Sequence, residues 1–128
     1  MGKAYANRKP IEKRKPSDFY ETPKSLTWEL LKTGELEGVK TILDPCCGNY
    51  AISNILKESG YIVDENDLIY GSNFLTDQYL KTYDAIVMNP PFSLWNPFIE
   101  KAKSISNKVI AIGKTNFFGA QNRYKIGL

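Results

Sequence analysis

The sequence predicts a three-layer α/β domain with a mainly parallel sheet. Short apolar runs that end in Asp, Asn or Pro alternate with segments whose apolar residues recur at helical spacing. Such alternation is typical of parallel strands joined by right-handed crossovers. The 128 residues give room for one domain, with no second lobe of useful size.

The predicted elements begin with a helix. It is expected to start at Thr22 and Pro23, with Thr22 as the N-cap, and to end near Gly34. Two further helices are expected after CCGNY (46–50) and after Ser93. Strands are expected in KTILDP (40–45), YIVDENDL (61–68), YDAIVMN (83–89) and KVIAIGK (108–114). Residues 68–82 are expected to be irregular, with a short strand as one option at 70–74, and residues 115–128 are only weakly patterned.

Positive charge is concentrated at the N-terminus. Residues 1–16 contain six Lys or Arg side chains and one Glu, in a chain whose formal net charge is +3. Residues 1–17 are therefore predicted to be a basic flexible arm ahead of a domain spanning 18–128. Such an arm either contacts nucleic-acid phosphates or is merely solvated, and charge alone leaves both readings open.

Composition excludes several classes of function. The chain contains no His, which excludes histidine-based catalysis and the commonest metal sites, so no metal is expected. No apolar segment is long enough to span a membrane, and the N-terminus lacks the apolar core of a secretory signal. Cys46 and Cys47 are adjacent and cannot join distant parts of a fold, which favours a reducing, cytoplasmic setting.

The segment DPCCGNY (44–50) follows a predicted strand and precedes a predicted helix. Gly48 would let the backbone approach a ligand closely, and the helix start favours negative charge. Asp44 at the strand end could accept a hydrogen bond from a ligand ammonium group or a water. Because the loop lacks GxGxxG and the P-loop Gly-Lys-Ser/Thr, binding of dinucleotides or nucleoside triphosphates is disfavoured. An ordinary strand-to-helix turn is the alternative interpretation.

The segment NPPF (89–92) ends another predicted strand. Two prolines are good strand terminators, but that role explains neither Asn89 nor Phe92. An amino group on a planar ring becomes a better nucleophile when two acceptors bind its hydrogens. The Asn89 side-chain oxygen and the Pro90 carbonyl would be such acceptors, and proline's fixed φ pre-aims that carbonyl. Phe92 would stack on the ring.

Four segments in this order resemble the S-adenosylmethionine-dependent N6-adenine DNA methyltransferases, particularly the small phage and prophage types. They are DFYETP (18–23), LDPCCGNY (43–50), GSNFL (71–75) and NPPF (89–92). The resemblance runs from about Asp18 to the strand at Val109. It implies a Rossmann-like methyltransferase fold, with S-adenosylmethionine as cofactor and DNA as partner, its target adenine flipped out of the stack.

The resemblance also assigns roles to individual residues. It implies that the cofactor's methionine end is held by Phe19, Tyr20, Thr22, Asp44, Cys46 and Gly48. An acidic residue after the second strand would receive the ribose hydroxyls, with Asp67 preferred to Asp64. Asn73 and Phe74 would border the cofactor adenine. The catalytic motif would be Asn89, Pro90, Pro91 and Phe92.

This chain departs from the family pattern at three places. Tyr50 stands where a second glycine is usual, and Asn73 stands where an aspartate is usual. A tyrosine there would either crowd the cofactor or cover it. The family sheet usually continues beyond the strand at 108–113 with a helix and a hairpin, so the C-terminal strands are expected to be missing. A homodimer or a second subunit is one way to complete such a sheet.

Two kinds of function therefore remain open. The first is an enzyme that methylates adenine N6 in DNA, with RNA adenine or a protein glutamine amide as alternative substrates of the same motif. The second is a non-catalytic remnant or accessory module that keeps the fold and binds the cofactor. Tyr50, Asn73 and the short C-terminus favour the second, whereas the intact NPPF motif favours the first.

Overall fold

The computed structural model of the protein describes residues 21–113, 116–119 and 124–127. Three helices are described, α1 Lys24–Lys32, α2 Ala51–Glu58 and α3 Trp95–Lys103. The strands are β1 Thr41–Asp44, β2 Ile62–Glu65, β3 Ala85–Met88, β4 Val109–Ile112, β5 Asn116–Gly119 and β6 Tyr124–Gly127. They form one sheet in the order β2-β1-β3-β4-β5-β6. The first four strands are mutually parallel, which confirms the predicted α/β fold with its mainly parallel sheet.

Alternate residues of the central strands serve two separate cores, which makes the domain three-layered. Ile42 and Val87 face a cluster that contains Leu30 of α1 and Leu56 of α2. Their chain neighbours on the strands face the opposite cluster, which contains Phe98 of α3. Since α1 and α2 cover one face and α3 the other, the central strands are buried on both sides and read as continuous apolar runs.

The start of α1 differs from the prediction that Thr22 is its N-cap. The helix begins at Lys24 with Pro23 as N-cap, and the Leu26 N–H bonds to the Pro23 carbonyl. Thr22 is buried, and its hydroxyl accepts a hydrogen bond from the Asn89 side chain instead of capping the helix. The threonine therefore joins the helix entry to the NPPF segment.

The short strand considered at 70–74 is wrong. Leu68–Tyr70 form a 3₁₀ turn, which the Asp67 carboxylate caps by accepting the Ile69 N–H at 3.1 Å. Gly71 follows with a left-handed backbone, at a φ of 93°. An aspartate before the turn and a glycine after it satisfy the local backbone groups without a sheet partner.

The expectation that the C-terminal strands are missing is also wrong. β5 pairs antiparallel with β4, and β6 pairs antiparallel with β5. Each has only four residues, too few to stand out by alternation in the weakly patterned C-terminus. With β4 covered by β5, the reason for expecting a second subunit to complete the sheet falls away.

Two other expectations meet limits of the described ranges. The basic arm at 1–17 lies outside the described residues. Within those residues, no helix is long and apolar enough to cross a membrane.

Candidate functional site

The two unusual loops lie side by side at one edge of the sheet. β1 and β3 are adjacent and parallel, so the loops that follow Asp44 and Met88 leave the sheet at the same edge. The Asn89 backbone N–H bonds to the Cys46 thiol, which joins the loops directly. The order of strands reverses between β1 and β3, the usual place for a ligand crevice in such sheets. The predicted juxtaposition of Gly48 and Asn89 is thus confirmed.

The loop after β1 is held open around Gly48. The Gly48 N–H donates to Asp67 Oδ2 at 2.8 Å, and the Cys47 N–H donates to the Asn66 carbonyl at 2.9 Å. Gly48 has a φ of 53°, and a Cβ built on it would meet no atom within 4 Å. The loop is therefore fixed from the side of the β2 end while its glycine faces open space.

Asp44 at the end of β1 is a buried carboxyl group with half of its acceptor capacity unused. Its side chain is 1% exposed, Oδ1 accepts the Cys46 N–H at 3.3 Å, and Oδ2 has no hydrogen-bond partner. Burial, followed by the nearby carboxylates of Asp67 and Glu65, raises the pKa of Asp44 well above its usual value. An orphaned buried acceptor of this kind is costly and suits a site that receives a cationic or donor group.

Cys46 is half-buried beside Asp44 and is a thiol rather than a thiolate. Burial is the largest cause that raises its pKa, and the Asp44 carboxyl adds to it. A thiol with a raised pKa is a poor nucleophile. Cys46 therefore supplies packing and a sulfur acceptor for the Asn89 N–H, not covalent chemistry.

The acidic residues that follow Val63 have different surroundings. Asp67, preferred from the sequence for the ribose, is 1% exposed and accepts the Gly48 and Ile69 backbone N–H groups. Asp64 accepts the Tyr83 hydroxyl at 2.5 Å and pairs with Lys81 at 3.1 Å. The Tyr83 hydrogen bond is the main cause that lowers the pKa of Asp64.

Glu65 is a candidate site residue that sequence reasoning missed. It ends β2 and is in register with Asp44, so it stands at the same sheet edge as the glycine loop. Its Oε1 pairs with Lys57 at 2.9 Å, while Oε2 is buried without a hydrogen-bond partner. The sequence signal for such a residue is the end of the second strand, where the acidic residue of a Rossmann-type crevice stands, but the sequence does not fix where β2 ends.

Tyr50 occupies a position built for glycine. It has a φ of 68°, the one positive φ among the described non-glycine residues. Holding a tyrosine there costs roughly 1–2 kcal/mol. Its ring stacks on Tyr70 with centroids 5.7 Å apart and planes 11° apart. Tyr50 is therefore a strained residue with an aromatic partner.

Asn89 is anchored by its amide nitrogen. Nδ2 donates to Thr22 Oγ1 at 3.0 Å, which leaves the amide oxygen on the opposite side of the group. Pro90 is buried and Pro91 half-buried, whereas Phe92 is 76% exposed although it is a large aromatic residue. The loop thus has a fixed polar start and a bare aromatic end.

A cavity of about 270 Å³, here called the inner cavity, opens between these loops. It is lined by Pro45, Cys46, Asp67, Leu68, Ser72, Asn73, Phe74, Leu75, Thr76, Pro91, Leu94 and Phe98. Phe74 is 2% exposed and packs on Phe98 with centroids 5.1 Å apart, so it forms the floor. The Asn73 side-chain oxygen accepts the Leu75 N–H at 3.1 Å.

A second space of about 560 Å³, the outer cavity, lies between the starts of α1 and α2. Its lining includes Thr22, Trp28, Asn49, Tyr50 and Asn54. Thr22 lines the outer cavity and accepts a hydrogen bond from Asn89, which begins the segment whose Pro91 lines the inner cavity. Tyr50 borders the outer cavity and is not among the residues that line the inner one.

The structure therefore gathers most of the predicted residues at one place. Thr22, Asp44, Cys46, Gly48 and Asn89 lie around the two joined loops, and Asp67, Asn73, Phe74 and Pro91 line the inner cavity. Phe19 and Tyr20 lie outside the described residues, and their contact with the cofactor stays a prediction.

Comparison with known proteins adds the fold. No protein-family model and no curated protein sequence matches the chain. Among solved structures, one described as a "putative RNA methyltransferase" from Pyrococcus horikoshii superposes with a TM-score of 0.59 at 18% identity, covering 88% of this chain and 72% of that one. The fold is shared with methyltransferases.

A second solved structure agrees. Magnesium protoporphyrin IX methyltransferase from Synechocystis PCC 6803, crystallised with S-adenosylmethionine, superposes with a TM-score of 0.51 at 19% identity. The match covers 68% of this chain and 54% of that protein, so this chain spans about half of its length. At these identities the likeness establishes a Rossmann-like methyltransferase fold.

Proposed function

We propose that the protein transfers a methyl group from S-adenosylmethionine to the exocyclic N6 amine of adenine in DNA. The observation that carries this proposal is the Asn89 amide, anchored through Nδ2 to Thr22 beside the glycine loop. An amine that is to accept a methyl group needs a hydrogen-bond acceptor beside the cofactor, and a fixed amide oxygen next to the crevice is such a group. The resemblance of NPPF to the motif of amino-group methyltransferases gives that oxygen its target.

The residues at the sheet edge fit the proposed cofactor. S-adenosylmethionine carries a sulfonium and an ammonium group, and it supplies an electrophilic methyl group when bound. Asp44 Oδ2 and Glu65 Oε2 are buried acceptors without partners at this edge. Gly48 faces open space, and the inner cavity offers an apolar floor at Phe74. Asp44 would hold the cationic end, and Glu65, rather than the twice-bonded Asp67, would take the ribose hydroxyls.

The Asn89–Phe92 segment would act on the acceptor amine. The Asn89 oxygen and the Pro90 carbonyl would each accept a hydrogen bond from one N–H of the amine. These two bonds would localise the lone pair on the nitrogen for attack. Because Thr22 and the proline ring fix both acceptors in advance, little reorganisation is needed as charge develops. In this scheme the chain needs no histidine or metal to make the amine nucleophilic.

Phe92 would hold the base itself. A ring that is 76% exposed contributes little to the core, which leaves it able to serve another purpose. Stacking on an unpaired base supplies one and is worth roughly 1–3 kcal/mol. The base would have to leave its duplex first, which is the usual route for enzymes that modify bases.

RNA adenine is the second candidate acceptor. One structural neighbour is described as a "putative RNA methyltransferase", and the same amine chemistry serves either nucleic acid. The DFYETP segment and the basic arm favour DNA. Discrimination would come from contacts to the sugar, because the 2′-hydroxyl is what separates RNA from DNA at a given site.

The test is methyl transfer with labelled S-adenosylmethionine on unmethylated DNA, RNA and a glutamine-containing protein mixture. Nucleoside digestion and mass spectrometry should find N6-methyladenine, with DNA as the better substrate. Labelled RNA adenine without labelled DNA would support the second candidate. Cofactor binding without transfer to any of the three would favour the non-catalytic remnant.

A further inference from the structure

The glycine loop, residues 44–50 around Gly48, is held by two tyrosines, Tyr50 and Tyr70. A loop with a second glycine in place of Tyr50 would lack this contact. The Tyr70 hydroxyl donates to the Gly48 carbonyl at 3.2 Å, while the Gly48 N–H donates to Asp67. Both backbone groups of the glycine are thus bound by the segment that follows β2. Tyr50, two residues on, stacks on the same Tyr70 ring.

The two tyrosine side chains are also linked through their hydroxyls. A hydrogen bond to Tyr70 is the main cause that raises the pKa of Tyr50. Because the Tyr70 hydroxyl donates its proton to the Gly48 carbonyl, its oxygen is the acceptor and the Tyr50 hydroxyl is the donor. The hydroxyls therefore form a chain from Tyr50 through Tyr70 to the Gly48 carbonyl, in which each bond strengthens the next.

Strain at Tyr50 shows that the stack does more than fill space. A left-handed backbone disfavours any side chain with a Cβ, and glycine would avoid the strain. The side chain offsets this strain through its stack on Tyr70, and it also lines the outer cavity. The ring is turned towards Tyr70 and is not among the residues that line the inner cavity, so the stack holds the loop from the side of the outer cavity.

We propose that Tyr50 and Tyr70 form a positioning clamp that holds the Gly48 loop in its cofactor-binding shape. A second glycine would give this loop freedom, whereas the clamp removes it before the cofactor arrives. Preorganisation of this kind raises affinity because less ordering remains to be done on binding. The clamp rests on the proposed function for its ligand, S-adenosylmethionine, but its effect on the loop exists in the free protein.

Tyr50→Asn separates the ring from the backbone strain. Asparagine tolerates the left-handed region, so this variant relaxes the strain without adding the backbone freedom of glycine. If the ring braces the loop, amide hydrogen exchange at Gly48 should speed up in the free protein. The dissociation constant for S-adenosylmethionine, measured by calorimetry, should rise about three- to tenfold, the usual scale for losing an aromatic pair. Tyr50→Phe, which keeps the ring, should recover most of the affinity.

Tyr70→Phe tests the same clamp without touching the strained residue. It keeps the stack and removes the hydroxyl that holds the Gly48 carbonyl, so Gly48 exchange should again accelerate. Tyr61→Phe is the matched control, because the Tyr61 hydroxyl also donates to a backbone carbonyl, that of Leu36, away from the two loops. It should leave Gly48 exchange and cofactor affinity unchanged.

The outcomes separate the clamp from the cofactor. Faster exchange at Gly48 in Tyr50→Asn and Tyr70→Phe, but not in Tyr61→Phe, supports the clamp. Unchanged exchange in these two variants overturns the clamp. Tighter cofactor binding in Tyr50→Asn than in the wild type also overturns it, and shows that the ring crowds the site. A wild type that binds no S-adenosylmethionine would sink the proposed function, while the exchange rates would still decide the clamp.

Discussion

The two loops at the carboxyl edge of the sheet are built in opposite ways. The loop from Asp44 to Tyr50 is bound on several sides, through Gly48 to Asp67 and Tyr70. The segment from Asn89 to Phe92 is bound to Thr22 at its start and ends in a ring that is 76% exposed. The Asp44–Tyr50 loop is fixed by contacts within the protein, whereas the Asn89–Phe92 segment ends in an exposed ring that a ligand could cover.

This difference matches the tasks proposed for the two loops. A small cofactor of constant shape can be met by a preformed crevice, whereas a base delivered by a polymer needs an open, aromatic landing place. The Asp44–Tyr50 loop carries the cost of burying a carboxyl group, since Asp44 is buried with one oxygen that has no hydrogen-bond partner. The exposed Phe92 ring contributes little to the core, so a change at that side chain should affect substrate binding and leave the fold intact.

The largest effect is expected from Asn89→Ala. Removing one preorganised polar group of this kind costs about 10²–10³ in rate. Because the amide oxygen acts on the amine, cofactor affinity should stay near the wild-type value. Steady-state transfer on DNA and calorimetric titration of S-adenosylmethionine measure the two effects separately. A parallel loss of cofactor affinity would mean that Asn89 belongs to the cofactor half.

Phe92→Ala should weaken substrate binding next most strongly. Loss of stacking costs roughly 1–3 kcal/mol, seen as a higher KM for DNA. The melting temperature should not move, since the ring is exposed. Phe92→Trp serves as the control, because it keeps an aromatic face and should keep most of the affinity. A fall in melting temperature would show that the ring supports the fold.

Asp67→Ala should loosen the Asp44–Tyr50 loop. It leaves the Gly48 and Ile69 backbone N–H groups without their carboxylate acceptor, which costs about 1–3 kcal/mol in the free energy of unfolding. Cofactor affinity should fall with it. Asp84→Ala is the matched control, because Asp84 accepts the Lys40 and Thr41 N–H groups where β1 begins. Equal loss of cofactor affinity in both variants would contradict a specific role for Asp67.

Asp44→Asn should stabilise the free protein while weakening cofactor binding. The folded-state pKa of Asp44 lies above its unfolded value, so wild-type stability falls as pH rises above about 4 towards that raised pKa. Asparagine cannot ionise and keeps the acceptor for the Cys46 N–H, so the variant should lack this fall. Urea unfolding of both proteins from pH 4 to pH 8 gives the comparison. An equal pH slope would show that Asp44 is not the buried acid responsible.

Much of the site could be predicted because its residues come in short motifs at strand ends. Asp44, Gly48 and Asn89 needed only the rule that parallel strands present their carboxyl ends together. Glu65 could not be singled out, because YIVDEND places three acidic residues within four positions and alternation does not fix where β2 ends. Register with Asp44 decides it.

Contacts between distant segments escaped prediction for a different reason. The stack of Tyr50 on Tyr70 joins residues on either side of β2, and the bond from Asn89 to Thr22 spans 67 residues. Nothing in the local pattern signals either contact. The β5–β6 hairpin was missed because two four-residue strands leave too little alternation to recognise.

The most direct test of one cleft with two halves is an amide chemical-shift titration of the ¹⁵N-labelled protein. Adding S-adenosylmethionine should shift the amides of Gly48, Cys46 and Asn73. Adding an unmethylated DNA duplex to that complex should then shift the amides of Phe92 and Leu94 most. The amides of Ser104 and Asn107, which precede β4 at the opposite edge of the sheet, should change little. Shifts centred on Ser104 and Asn107, or the same amides responding to both ligands, would contradict the division into a cofactor half and a substrate half.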